Sequence, residues 1–219
     1  MIYNIISSGS QGNAVVVNGS ILIDCGVSFR DLKEVYKDLK LVLLTHIHGD
    51  HFNKATIARL AKERPTLRFA CCSWLIRELM NCGVPHRNID YSVCGQVYNY
   101  VAFKISPVQL YHDVDNCGWR IFDNITGEKA IYMTDTATVQ GISAKGYNLY
   151  LVEANYSENE IVERIKNKEE AGQYVYEYRV LKTHLSKEEC DAWLLDNMDD
   201  NSEAVYIHQH TEKEKGVEE

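Results

Sequence analysis

Residues 45–51 read Thr-His-Ile-His-Gly-Asp-His, and they follow directly on the apolar run at residues 41–44. Such a run predicts a buried strand, so the polar residues occupy the loop in which that strand ends. Neutral imidazole is the commonest ligand for zinc and also binds iron and nickel, and a carboxylate adds charge for a second cation. This clustering predicts a metal site rather than a solvated polar turn. The metal-capable side chains are His46, His48, Asp50 and His51.

Metal-capable side chains recur directly after other apolar runs. They are Asp24, His112, Asp135 and His208, which follow residues 21–23, 108–111, 130–134 and 205–207 in that order. Polar residues placed after separate strands converge on one edge of a layered sheet fold, where active sites lie. The pattern therefore predicts that these residues join the early histidines in one site.

Length and composition favour one domain over residues 1–219, with 211–219 as a flexible tail. The hydrophobic content of 45% is sufficient for a sizeable core. Seven cysteines, an odd number without Cys-x-x-Cys spacing, predict reduced core residues rather than a disulfide framework. The amino terminus has no basic region before its apolar residues, and no apolar run approaches membrane-spanning length. We therefore expect no signal peptide, no membrane contact and a cytoplasmic location.

The formal net charge of −8 argues against a broad basic face for nucleic acid. It leaves a polyanionic substrate open, because two divalent cations would supply positive charge at the active site itself. For binding an anionic substrate, the local charge near a metal matters more than the net charge of the chain.

Apolar patterning predicts many short strands, with helices in both halves of the chain. This mixture predicts an α/β fold in which two sheets pack face to face and are covered by helices. The predicted elements include a hairpin at Asn18-Gly19, a helix over 28–39, a strand over 97–105 that Pro107 interrupts, a helical stretch over 158–182, and a helix capped by Ser186.

Taken together, these residues resemble the metallo-β-lactamase superfamily over almost the whole chain. The superfamily signature His-x-His-x-Asp-His after a strand is present at residues 46–51. The early Asp, the later His, the later Asp and the terminal His follow in the superfamily's order, as Asp24, His112, Asp135 and His208. The resemblance implies a four-layer αββα sandwich, in which two mixed β-sheets are flanked by helices.

The resemblance also implies two divalent cations, zinc or manganese with iron as a further option. The ligands of one cation would be His46, His48 and His112. Those of the other would be Asp50, His51 and His208. Asp135 would bridge the two, which places Asp50 and Asp135 among the catalytic residues, because paired cations can share a hydroxide and stabilise the oxygens of a displacement. Asp24 is expected to orient a ligand rather than to bind a cation.

Within the superfamily, three segments resemble the YycJ/WalJ branch, described as 5′-to-3′ DNA exonucleases. They are residues 8–13, His112-Asp113 followed by Gly118, and residues 184–186. This chain departs from the branch at Lys187, where Asn is usual, and in its terminal His208-Gln-His210, where His-Leu-Ser is usual. We expect His210 to be exposed or to support a ligand, since one histidine suffices at that corner.

The branch resemblance implies a further catalytic residue and several residues that contact substrate. His184 lies near Arg179, Lys182 and Lys187, and would bind a phosphate oxygen or protonate a leaving alkoxide. A surface or capping histidine is the alternative. The small and hydroxylated loop at 8–13 suits phosphate binding or the positioning of metal ligands. Residues expected to contact substrate or to support ligands are Ser8, Ser10, Asn13, Asp24 and Ser186.

The leading functional hypothesis is a di-metal phosphodiesterase acting on nucleic acid, in the manner of a 5′-to-3′ DNA exonuclease. The same metals would hydrolyse a small phosphodiester such as a cyclic nucleotide, a thioester or a lactone, because Lewis-acid activation does not select the substrate. A di-iron redox protein or a non-catalytic binding protein is the third option. Di-iron relatives usually replace ligands with a carboxylate, and a binding protein would be expected to have lost ligands, whereas all seven ligand positions are filled here. The partner is then a nucleic acid or nucleotide, and the oligomeric state is open, with a homodimer among the options.

Overall fold

The computed structural model describes residues 1–209, and these form two six-stranded β-sheets and five α-helices. His210 and the predicted tail at 211–219 lie outside the described residues. No helix in the described part of the chain is long and apolar enough to cross a membrane.

The first sheet takes its six strands in chain order. Its first three strands are antiparallel neighbours, and its third to sixth strands run parallel. The strands are β1 (Tyr3–Ser7), β2 (Ala14–Val17), β3 (Ile21–Ile23), β4 (Leu41–Leu43), β5 (Arg68–Cys71) and β6 (Ile89–Tyr91). The predicted hairpin between β2 and β3 is confirmed, because Asn18 and Gly19 both have the positive φ that a type I′ turn requires.

The second sheet is also mixed, with strand order β12-β11-β10-β9-β8-β7. Strands β7 to β10 are antiparallel neighbours, whereas β11 is parallel to both β10 and β12. The strands are β7 (Tyr98–Asn99), β8 (Phe103–Tyr111), β9 (Asp115–Asp123), β10 (Lys129–Met133), β11 (Leu149–Glu153) and β12 (Glu203–Ile207).

Helices cover the outer faces of both sheets. The helices are α1 (Lys54–Glu63), α2 (Ser73–Asn81), α3 (Glu158–Glu170), α4 (Glu177–Thr183) and α5 (Lys187–Asn197). Apolar side chains of α1 and α2 pack on the first sheet, and those of α5 pack on the second. A third apolar cluster, which includes Trp119 and Tyr132, fills the space between the sheets. This arrangement confirms the predicted four-layer αββα sandwich.

Strand β4 shows why the apolar run before the histidines is continuous. Leu41 and Leu43 pack between the two sheets, whereas Val42 and Leu44 pack under the helices of the first sheet. Successive side chains of a strand point to opposite faces, so a parallel strand buried on both faces needs apolar residues at every position. The run ends at Thr45 because the chain there reaches the edge of the sheet.

The helix predicted over 28–39 is wrong. The segment is a series of turns, in which Lys33 and Val35 each donate a backbone hydrogen bond to the third preceding residue. Ser28 caps nothing helical and instead donates its hydroxyl to Asp31. Leu32 and Leu39 are nevertheless fully buried, so the apolar spacing that suggested a helix reflects two separate core contacts.

The strand predicted over 97–105 is wrong in its bounds. Val97 and Val101 are exposed, the segment divides into β7 and β8, and β8 continues through Pro107. Strand β7 pairs only with Lys104 and Ile105, so Pro107 has no partner strand on that side of β8, while on the other side it lies opposite Trp119 of β9. The helical stretch predicted over 158–182 is also interrupted, and Gly172 with a φ of 65° lies in the break between α3 and α4. The predicted cap of α5 is confirmed by the Ser186 hydroxyl, which accepts from the Glu189 N–H.

Candidate metal centre

The predicted metal ligands and Asp24 lie after strands at one edge of the sandwich, whereas His184 and Ser186 lie between α4 and α5. Asp24 follows β3, residues 45–51 follow β4, and the later residues follow β8, β10 and β12. Three of them have left-handed backbone conformations, which are uncommon for residues other than glycine: Asp24 (φ 58°), Asp135 (φ 54°) and His208 (φ 52°). Such conformations persist where the surrounding structure fixes them, and they cluster at functional sites.

The structure brings His46, His48 and His112 together. One ring nitrogen from each lies within 4.8 Å of the others. The rings of His46 and His48 are 4.9 Å apart between centroids, and that of His112 is 5.1 Å from His48. This geometry allows three imidazole nitrogens to converge on one cation.

A second group is formed by Asp50, His51 and His208. Their ligand atoms also lie within 4.8 Å of one another. The rings of His51 and His208 are stacked at 5.6 Å, and Asp50 Oδ2 is 3.5 Å from His51 Nε2. The group therefore offers two nitrogens and one carboxylate oxygen to a second cation.

Asp135 lies between the two groups. Its Oδ2 is 2.9 Å from His51 Nε2 and 3.3 Å from His208 Nδ1, while its Oδ1 is 4.0 Å from His112 Nε2. Burial would raise the pKa of Asp135, but the His51 and His208 rings hold it well below its usual range. Burial likewise opposes charge on His51, yet Asp135 and Asp24 raise the pKa of His51 well above its ordinary value. The carboxylate of Asp135 is thus ionised and faces both groups.

Protein groups hold the Nδ1 atoms of three histidines and so leave their Nε2 atoms for the site. The contacts are His46 with the Thr45 hydroxyl at 3.0 Å, His51 with Asp24 at 2.7 Å, and His112 with the Thr183 carbonyl at 2.8 Å. A hydrogen bond on one ring nitrogen fixes both the tautomer and the orientation of a metal-ligating histidine.

The Nε2 atom of His46 is buried and has no hydrogen-bond partner. Burial, together with the neighbouring His51 ring, lowers the pKa of His46 well below its ordinary value, so the ring is neutral. A buried nitrogen with a free lone pair is rare in folded proteins, and cation binding satisfies it. The side chains at this edge therefore fit divalent cations that prefer nitrogen and oxygen ligands.

Asp24 has a supporting position. Its carboxylate is fully buried, accepts from the Thr45 N–H at 3.0 Å, contacts His51 Nδ1 and accepts from the Tyr132 hydroxyl at 3.2 Å. With its oxygens engaged in this way, Asp24 orients His51 and the start of the histidine loop.

The loop at 8–13 contacts the site from the side of the first sheet. The Asn13 amide donates to the Asp50 carbonyl at 3.2 Å, and the Ser8 hydroxyl accepts from the His208 N–H at 2.7 Å. Ser10 lines the cavity above the site. Ser186, in contrast, does not line that cavity, because its hydroxyl caps α5 and donates to Glu158.

A cavity of about 250 Å³ opens above the two groups. His48, Asp50 and His184 line it from the strand ends. One wall comes from α4 and the residue before it, through Tyr176, Arg179, Val180 and Thr183. The helical segment that follows β11 therefore shapes the access to the site.

Two acidic residues lie at the site although no role there was predicted for them from the sequence: Glu153 was not singled out, and Asp113 was named only as part of the branch resemblance. Glu153 is fully buried at the end of β11, where its carboxylate contacts His184 Nδ1 at 2.6 Å and accepts from the Thr136 N–H at 3.1 Å. It forms a further potential metal-binding group with Asp135, His184 and His208. The same signal that identified Asp135 was present, since Glu153 directly follows an apolar run. Asp113 is 3.1 Å from His112 Nε2 and forms an ion pair with Arg179.

Comparison with known structures supports the fold. The short form of human tRNase Z is 14% identical over 98% of this chain and 94% of its own, with a TM-score of 0.70. YhfI from Bacillus subtilis, a metallo-β-lactamase-fold protein, is 14% identical over 94% and 85% of the two chains, with a TM-score of 0.69. A diphosphatase from the PhnP family is 15% identical over 99% and 91%, with a TM-score of 0.66. These identities are low, so they show a shared fold alone.

No curated protein sequence matches the chain significantly. Residues 20–209 match the protein family described as "Beta-lactamase superfamily domain". This match spans most of the chain and contains every residue of the two potential metal-binding groups. The protein therefore belongs to the metallo-β-lactamase superfamily.

Proposed function

We propose that the protein is a di-metal phosphodiesterase that cleaves nucleic acid, in the manner of a 5′-to-3′ DNA exonuclease. The observation that carries this proposal is the position of Asp135, which faces both potential metal-binding groups beneath an open cavity. A tRNase and a diphosphatase among the proteins of the same fold favour a phosphate ester as the substrate. The resemblance to the YycJ/WalJ branch favours DNA and 5′-to-3′ polarity.

The residues present suit two divalent cations, zinc or manganese, with iron as a further option. His46, His48 and His112 would hold one, and Asp50, His51 and His208 the other. Asp135 would contact both. When bound, such cations would supply Lewis-acid activation of water and of the phosphate ester.

Among the described residues that line the cavity, Arg179 carries the guanidinium that would bind a phosphate oxygen. Its side chain is 68% exposed, lies on the wall formed by α4, and is held by an ion pair with Asp113. A guanidinium matches the geometry of a phosphate, and an exposed ion pair is weak enough to exchange its partner. Asp113 would therefore keep Arg179 over the cavity until a phosphate replaces the carboxylate.

His184 is positioned to move a proton. Its Nδ1 contacts the buried Glu153 carboxylate, which fixes the ring and leaves Nε2 available to a ligand in the cavity. A neighbouring leaving oxygen could take its proton from Nε2. General acid catalysis of this kind contributes about 10²- to 10⁴-fold to a rate.

His184→Ala is expected to lower kcat by about 10²-fold for DNA, whose alkoxide leaving group needs a proton. A p-nitrophenyl phosphodiester should lose less than about fivefold, since its leaving group departs without one. Steady-state kinetics on both substrates, with metal content measured in parallel, test this. The surface residue His86 provides the matched control variant His86→Ala. An equal loss on both substrates would contradict a proton-donating role.

The function itself is tested by a nuclease assay in manganese. We expect cleavage of 5′-phosphorylated single- or double-stranded DNA in preference to 5′-hydroxyl DNA, with mononucleotides released from the 5′ end. A chelator should abolish the activity and added manganese should restore it, because the ligand side chains remain in place.

A small-molecule substrate is the second candidate, because a cavity of about 250 Å³ is not large. Cyclic nucleotides, a thioester and a lactone are therefore included in the same assay. Turnover of one of these without cleavage of any oligonucleotide would replace the nuclease proposal with a small-molecule metallo-hydrolase.

A further inference from the structure

Part of the outer face of the second sheet is not covered by α5. The β-sheet register places Phe122 of β9 directly opposite Lys104 of β8 on one side and Lys129 of β10 on the other. In the next outward-facing row, Arg120 lies opposite Ser106. With Tyr147 before β11, these residues line a groove of about 520 Å³. We call Lys104, Arg120, Phe122, Lys129 and Tyr147 the cationic groove.

The charge of the cationic groove is uncompensated. No carboxylate lines it, and in the described part of the chain Lys104, Arg120 and Lys129 form no ion pair. The whole chain has a net charge of −8, whereas this groove holds three cations without an ion pair, of which Arg120 donates a hydrogen bond to the Ser143 carbonyl. This concentration of positive charge selects an anionic ligand.

Aromatic rings lie among these cations. Lys104 Nζ is 5.2 Å from the centre of the Phe122 ring, and Lys129 Nζ is 5.7 Å from that of Tyr147. Such contacts at an exposed site are weak, so the ammonium groups can turn to phosphates while a ring receives a base. Alternating cations and aromatic rings on an open sheet face are the features with which proteins bind single-stranded nucleic acid.

We propose that the cationic groove binds a segment of single-stranded polynucleotide outside the metal centre. The inference rests on the proposed function in one respect: it takes the bound polynucleotide to be part of the nuclease substrate. Lys129 begins β10 and Asp135 lies two residues beyond its end, so their separation of six residues corresponds to a length of at most about 20 Å. A strand that occupies both places must extend well beyond the nucleotide being cleaved. The groove therefore favours long substrates over short ones.

Binding is tested with manganese-loaded protein and a labelled, cleavage-resistant phosphorothioate 12-mer, followed by fluorescence anisotropy. The triple variant Lys104→Gln, Arg120→Gln and Lys129→Gln should bind at least about tenfold more weakly at low salt. The slope of log K against log salt should become less negative by about 2 in this variant, because each of three lost phosphate contacts to a single strand contributes about 0.7.

A second triple variant serves as the matched control. Lys33→Gln, Lys37→Gln and Lys62→Gln remove the same charge from exposed positions elsewhere and should bind within about twofold of the unmodified protein. Equal affinities for the two triple variants would overturn the inference. Phe122→Leu should weaken binding about fivefold or more with an unchanged salt slope, whereas Phe122→Trp should retain it.

Activity separates this inference from the proposed function. The groove variant should show a KM raised about tenfold for the unmodified 12-mer, with unchanged hydrolysis of bis(p-nitrophenyl) phosphate, which is too small to reach the groove. If the unmodified protein hydrolyses no phosphodiester but the groove variant still loses binding, the inference about the groove is supported and the proposed function is wrong. If the unmodified protein hydrolyses phosphodiesters and the groove variant binds the 12-mer as tightly as the unmodified protein, the inference about the groove is wrong and the proposed function is unaffected.

Discussion

Asp135→Asn is expected to lower kcat/KM for phosphodiester hydrolysis by about 10³-fold or more. The buried carboxylate faces His51, His208 and His112 at 2.9 to 4.0 Å, and the substitution removes the charge that would offset two cations. We also expect affinity for at least one cation to fall by about 100-fold. The amide keeps nearly the same volume, so packing around it should change little.

The measurement combines kinetics on a model phosphodiester with metal titration and circular dichroism. Asp196→Asn, a substitution of the same type at an exposed position on α5, is the control and should keep full activity and metal content. A folded Asp135→Asn protein with undiminished hydrolysis and two bound metals would exclude Asp135 from the reaction. The proposed mechanism would then be wrong.

The residues at the strand ends could be predicted because a local signal marks each of them. His112, Asp135 and His208 are polar residues directly after apolar runs, and the ends of those strands meet at one edge. Asp135 and His51 are far apart in the sequence, yet their contact could be predicted because each follows a strand that ends at the same edge. Glu153 satisfied the same rule, and applying it without exception would have found it.

The cavity wall could not be predicted in the same way. Arg179 and Tyr176 line the cavity, and the break near Gly172 separates their part of the chain from α3. The sequence of 158–182 is polar and helical throughout, so it contains little information about where the helix breaks or what it faces. The partner of Arg179, Asp113, is separated from it by 66 residues.

The errors in the fold have related causes. Leu32 and Leu39 are spaced as on a helix, but short turns bring both into the core. Pro107 lies inside a strand, at a position that the short strand β7 does not reach on its side of β8. In both cases tertiary contacts decided the local structure. A continuous apolar run such as β4, in contrast, is typical of a parallel strand buried on both faces.

Gly26→Ala is expected to be among the most destabilising single substitutions in the protein. A Cβ at this position would lie 1.7 Å from the Asp50 carbonyl oxygen and 2.8 Å from the His51 nitrogen. The opposing backbone is not free to move, because Asn13 donates to the Asp50 carbonyl and Cys25 to that of His51. We expect the free energy of unfolding to fall by about 3 kcal/mol or more.

Gly49→Ala tests the same argument from within the histidine loop. Gly49 is exposed, and an added Cβ would meet nothing within 4 Å, so we expect a change within about 0.5 kcal/mol. Urea denaturation of the two metal-free variants gives both values. Because Gly26 acts by fixing Asp50 and His51, its substitution should also reduce metal binding, whereas Gly49→Ala should retain it. Equal stability of the two variants would mean that the close approach of the two loops does not hold the metal centre together.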